Sequence, residues 1–143
     1  MEAKAGMSEI PHVSVVDDDE SVREAIRSLL RSVGLSADVF ASAEDFLNSG
    51  HLHETACLIL DVRMPGMGGL ELQQQLASDN RRIPIIFITA HASDEEARSR
   101  ALRLGAIDFL FKPFSEDALL NDVYAALGPG GGGARSILRG EKS

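Results

Sequence analysis

Short, continuously apolar runs alternate with helix-like segments along this chain, and that alternation leaves few folds open to it. The runs His12 to Val16, Ala56 to Leu60 and Pro84 to Ile88 have strand length and no polar alternation, as strands covered on both faces must. Between them, Val22, Ala25, Ile26, Leu29, Leu30 and Val33 recur at helical spacing, with Gly34 as a stop. Further helices are expected after Ser42, from about Gly69, after Ser93 and after Ser115. Ser93 and Glu96 have the spacing of a capping box, and Gly105 closes that helix. With ADVF as a short second strand and DFLF as the fifth, strand and helix alternate five times. That pattern predicts a doubly wound α/β fold, a parallel sheet with helices on both faces.

In a five-stranded sheet of order 2-1-3-4-5, strands one and three flank the topological switch point, where open α/β sheets bind ligands. Those two strands end in Asp17, Asp18 and Asp61, and the fourth and fifth runs lead into Thr89 and Lys112. Three carboxylates, a hydroxyl and an ammonium therefore converge on one edge. Carboxylates about 5 Å apart repel by roughly 3 kcal/mol per pair at an effective dielectric near 20. Lys112 compensates one charge, and a hard divalent cation, Mg2+ by its preference for oxygen ligands and retained waters, compensates the rest. Such a set forms a phosphoryl-transfer site with Asp61 as nucleophile.

The sequence resembles the receiver domain of bacterial two-component response regulators, the CheY-like fold. The matching motifs are VVDDDE, LDVRMPGMGG, FITAH and GAIDFLFKPF, in order and across nearly the whole folded unit. TAH, GAIDFLFKPF and DVRMP look most like the FixJ/NtrC style of receiver. The resemblance implies that Asp61 is the phosphoacceptor and that Asp18 and Asp61 bind Mg2+ directly. It further implies that Asp17 binds the ion through water, with the backbone carbonyl of Arg63 completing the protein ligands. Thr89 and Lys112 would contact the phosphoryl oxygens, Phe109 would be the aromatic switch that acts with Thr89, and Lys112-Pro113 would be cis. The implied partner is a sensor histidine kinase or phosphotransfer protein. The output would be partner binding or homodimerisation through the fourth helix, fifth strand and fifth helix. A receiver is a signalling domain, with at most slow self-phosphorylation from small donors and self-dephosphorylation. Two departures stand out: Gly68 replaces a usual polar residue, predicting a more mobile loop, and Asp19 adds an acid that begins the first helix.

Other classes fit less well. An aspartyl-nucleophile phosphatase carries a second acid two residues beyond its nucleophile, where this chain has Arg63. A degenerate receiver, binding partners without phosphorylation, would not keep all three acids with Thr89 and Lys112. No GxxxxGK[ST] occurs. The net charge of −8 argues against direct nucleic-acid binding. The lone Cys57 sits within a strand as a small apolar residue, and no apolar stretch is of membrane-spanning length. A cytoplasmic location is expected. The four histidines show no metal-ligand spacing.

Within the 143 residues, 1–10 are expected to be a flexible tail, 11–127 the receiver and 128–143 a flexible glycine-rich tail. The expectation is a stand-alone receiver or one separated from its effector.

Overall fold

The computed structural model describes residues 11–91 and 94–131. The elements run β1 (His12–Val16), α1 (Glu20–Ser32), β2 (Ser36–Phe40), α2 (Ala43–Leu47), a 3-10 turn (Leu52–Glu54), β3 (Thr55–Asp61) and α3 (Gly69–Ser78). Then come β4 (Ile85–Thr89), α4 (Glu95–Arg103), β5 (Asp108–Phe111) and α5 (Glu116–Gly131). All strand pairs are parallel, in the order β2-β1-β3-β4-β5.

Alternating side chains along each buried strand feed two cores. Leu58, Leu60 and Phe87 face Phe46, Leu72, Leu76 and Ala101, which places α2, α3 and α4 on one face. Cys57, Ile59, Ile86 and Ile88 face Ile26, Leu30, Leu119 and Val123 from α1 and α5. This two-sided burial is why the strands read as unbroken apolar runs.

Local chemistry sets the ends. Asp19 caps α1 by accepting from Ser21 N at 2.9 Å, and Gly34 and Gly105 take the left-handed φ values, +85° and +102°, that follow α1 and α4. Asp94, not Ser93, occupies the N-cap position of α4; Ser93 itself lies outside the described residues, as do 1–10 and 132–143 of the expected tails. The helical assignment continues past Leu127 to Gly131, across a break at Gly128 where φ is +76°.

The loop after β3 is fastened at three backbone N–H groups. Met67 N donates to Glu44 Oε2 (3.0 Å), Gly68 N to Glu71 Oε1 (2.7 Å) and Gly69 N to Val62 O (2.9 Å). Gly69 lies so close to the end of β3 that a Cβ there would sit 2.3 Å from the carbonyl oxygen of Asp61. The Lys112-Pro113 peptide is cis.

Candidate functional site

Parallel pairing aligns the strand ends: Val16 is opposite Leu60, Asp61 opposite Ile88, and Thr89 opposite Phe111. The residues just beyond these positions therefore gather at one edge. Asp17, Asp18 and Asp61 each offer a carboxylate oxygen to a group whose members lie within 4.8 Å of one another, Asp18 being exposed and the other two buried. Among the described residues, this is the only such group of potential metal ligands.

Asp17 is held on both oxygens, accepting from Asp19 N (2.8 Å) and from Lys112 Nζ (2.9 Å). Lys112 Nζ is 3.9 Å from Asp61 Oδ2. One ammonium thus serves two buried acids. Burial and the Asp17 carboxylate push the Asp61 pKa up to about 7, against the pull of Lys112. The three carboxylates form an all-oxygen donor set of the kind that fits a hard divalent metal.

Across the site, Thr89 is fully buried. Its Oγ1 accepts from His91 N (3.1 Å) and donates to Asp94 Oδ2 (3.3 Å). Arg63 Nε donates to the same carboxylate oxygen (3.1 Å), and its terminal nitrogen pairs with Asp94 Oδ1. Arg63 holds the Asp94 carboxyl below the usual carboxylate range. The side chain standing two residues beyond Asp61 is therefore a cation paired with Asp94.

Asp17, Asp18, Asp61 and Lys112 lie together at this edge, Thr89 stands at the end of the neighbouring strand β4, and Arg63 is in the loop after Asp61. Phe109, the expected aromatic switch, lies inward in this structure. It is 4 % exposed, its ring centroid 5.9 Å from Phe87 and 5.6 Å from Phe111. Its ring belongs to the same apolar cluster as Ala97 and Ala101 of α4. The reading of the sequence missed Asp94. A charged residue at a helix start signals an N-cap, and nothing local shows that its carboxylate makes no cap hydrogen bond to its own helix.

A family model, the response regulator receiver domain, matches residues 13–124. The response regulator protein TodT of Pseudomonas putida is 49% identical over 115 residues, 80% of this chain and 50% of that protein. Transcriptional regulatory protein FixJ of Azorhizobium caulinodans is 42% identical over 122 residues, 85% of this chain and 57% of that protein. The crystal structure of a response regulator receiver protein from Burkholderia phymatum superposes with a TM-score of 0.72 at 47% identity, covering 82% of this chain and 95% of that one. This chain belongs to the response regulator receiver family of two-component signalling. It spans about half the length of the curated relatives it matches.

Proposed function

We propose that Asp61 accepts a phosphoryl group from a sensor histidine kinase or phosphotransfer protein. A carboxylate oxygen of Asp61 attacks phosphorus, the bond from phosphorus to the donor nitrogen breaks with its electron pair leaving on that nitrogen, and an acyl phosphate forms. The observation that carries this reading is the juxtaposition of Asp61 with two further acids, within 4.8 Å, and with Lys112 on the same edge. Asp17, Asp18, Asp61 and the carbonyl of Arg63 would hold Mg2+. Bound there, Mg2+ supplies positive charge that keeps Asp61 ionised and neutralises the phosphoryl oxygens. Lys112 and the Thr89 hydroxyl supply the remaining donors.

An apolar groove of about 440 Å³ opens beside Lys112, lined by Val22, Ile26, Leu29 and Phe114 among others; it suits the apolar flank of a phosphodonor protein. The output we infer is partner binding or homodimerisation through α4, β5 and α5, with Phe109 holding or releasing its inward place as Thr89 moves. The folded unit is 11–127, flanked by tails, and acts as a non-enzymatic relay, apart from slow reactions with small phosphodonors. No described helix is long and apolar enough to cross a membrane; we infer a cytoplasmic site of action. The net charge of −8 supports an output that does not require nucleic-acid contact by this chain.

Incubation with acetyl phosphate and Mg2+ should add one phosphoryl group, and Asp61→Asn should abolish it. Undiminished labelling of the Asn variant would place the acceptor elsewhere.

A further inference from the structure

Thr89 has one hydroxyl proton to give, and in this structure Asp94 has it. A phosphoryl oxygen is acceptor-only, so Thr89 can bind it only with that same proton. The hydroxyl's acceptor side is occupied as well, by His91 N at 3.1 Å. Asp94 is a caged competitor: 6 % exposed, making no cap hydrogen bond to its own helix and fixed by two guanidinium nitrogens of Arg63. Arg63 reaches it from the loop that follows Asp61, so the clamp joins the loops after β3 and β4.

We propose that Asp94, pinned by Arg63, is a positioning residue that holds the Thr89 hydroxyl in its resting orientation and must lose it before Thr89 can bind the phosphoryl group.

The consequence is a threshold. Two carboxylates hold the two donors that phosphorylation needs, Asp17 on Lys112 at 2.9 Å and Asp94 on Thr89 at 3.3 Å. The first lies inside the expected metal cluster, where a cation would take over as partner to Asp17. The second lies outside it and has no such relief, so phosphorylation itself must win the proton. The long donor distance makes Asp94 the weaker acceptor, and a doubly charged phosphoryl oxygen prevails. Asp94, at the N-cap position of α4, is then held by Arg63 alone. The exchange thereby couples the chemistry at Asp61 to the seating of α4.

The inference rests on the phosphoacceptor reading, and its test separates the two. Wild type, Asp94→Ala, Arg63→Met, Thr89→Ala and the Asp94→Ala/Thr89→Ala double variant are titrated with beryllofluoride in Mg2+, and amide NMR signals of Thr89 and His91 are followed. Asp94→Ala should lower the half-saturating concentration by roughly three- to tenfold, the size of one long charge-assisted hydrogen bond. Arg63→Met should act in the same direction and more weakly. Both should move the Thr89 and His91 signals of the free protein toward their bound positions. The gain should vanish when Thr89 is already alanine. A gain that persists in that background would mean simple charge removal and would overturn the clamp, as would wild-type affinity with unmoved signals. If Asp94→Ala does not fold, Arg63→Met decides by the same criteria. Failure of wild type to take either beryllofluoride or a phosphoryl group would sink the phosphoacceptor reading, and the clamp with it.

Discussion

Lys112 Nζ lies 2.9 Å from Asp17 Oδ2, a full ångström nearer than its 3.9 Å approach to Asp61 Oδ2. The lysine therefore neutralises the acid beside the phosphoacceptor more than the phosphoacceptor itself. Asp17 is completely buried, and removing its partner leaves an uncompensated interior charge. Lys112→Met should destabilise the metal-free protein by about 3 kcal/mol, the lower end for breaking a buried pair. Added Mg2+ should restore part of that loss. Urea titrations with and without Mg2+ measure both, and a variant as stable as wild type without metal would contradict the pairing.

Neutralising the phosphoacceptor should have the opposite sign. Asp61 feels Asp17 and Asp18 as like charges, while each close pair repels by roughly 3 kcal/mol at an effective dielectric near 20 and Lys112 offsets part. Asp61→Asn should stabilise the metal-free domain by about 1 kcal/mol and abolish its Mg2+-dependent rise in melting temperature. Asp18→Ala should remove most of that rise as well, since stabilisation by a bound ion scales with its affinity. An Asn variant that melts lower than wild type in chelator would count against the repulsion.

Gly69 offers a test of how the acceptor is positioned. Glycine within a helix normally costs up to about 1 kcal/mol relative to alanine, so alanine ought to help α3. Here the new Cβ would meet the Asp61 carbonyl oxygen at 2.3 Å and Phe87 at 3.1 Å. Gly69→Ala should instead destabilise by about 1–3 kcal/mol, as overpacking does, and slow phosphorylation by displacing Asp61. Unchanged melting and labelling would show that the strand end yields freely.

The strands and the acidic edge were legible in the sequence because burial on both faces writes a parallel strand as an apolar run and polar residues gather where the run ends, whereas apolar runs alone do not say which strands are neighbours. What escaped was chemistry between distant charged residues. Arg63 and Asp94 are 31 positions apart, and each has an ordinary local explanation, as a loop cation and as a helix cap. Asp122 on α5 is a similar case. Its position implies only a helix acid, whereas the fold faces it toward Asp108 and leaves its Oδ2 buried, with no hydrogen-bond partner among the described residues. Phe109 was legible as a strand aromatic, but its packing against Phe87 of the neighbouring strand depends on the sheet register.

Cys57 should be chemically silent. It is fully buried in β3, and burial, reinforced by the Asp122 carboxylate, pushes its pKa up to about 12. The thiolate is the reactive form, so iodoacetamide at pH 8 should leave the folded protein unmodified while alkylating it in denaturant. Native-state labelling at the denatured rate would mean that β3 opens far more readily than its packing implies.

The pH dependence of stability should run against the usual direction for acidic groups. Asp61 and Asp122 both have carboxyls raised from 3.8 to about 7, the first by burial and Asp17, the second by burial and Asp108. A carboxyl whose folded-state value exceeds its unfolded one favours folding in its protonated form; that contribution is complete below the unfolded value and lost as pH rises through the folded one. Between about pH 4 and pH 7 these two groups therefore pull the stability of the metal-free protein downward. Melting in chelator at pH 5, 6 and 7 should show the temperature falling across the series, by a few degrees. Asp122→Asn should flatten one part of the slope and Asp61→Asn the other, while saturating Mg2+ should cancel only the Asp61 part, because Asp122 lies outside the metal cluster. A melting temperature that climbs steadily from pH 5 to pH 7 in chelator, with the Asp122→Asn variant tracking wild type, would show that neither carboxyl is protonated in the folded state.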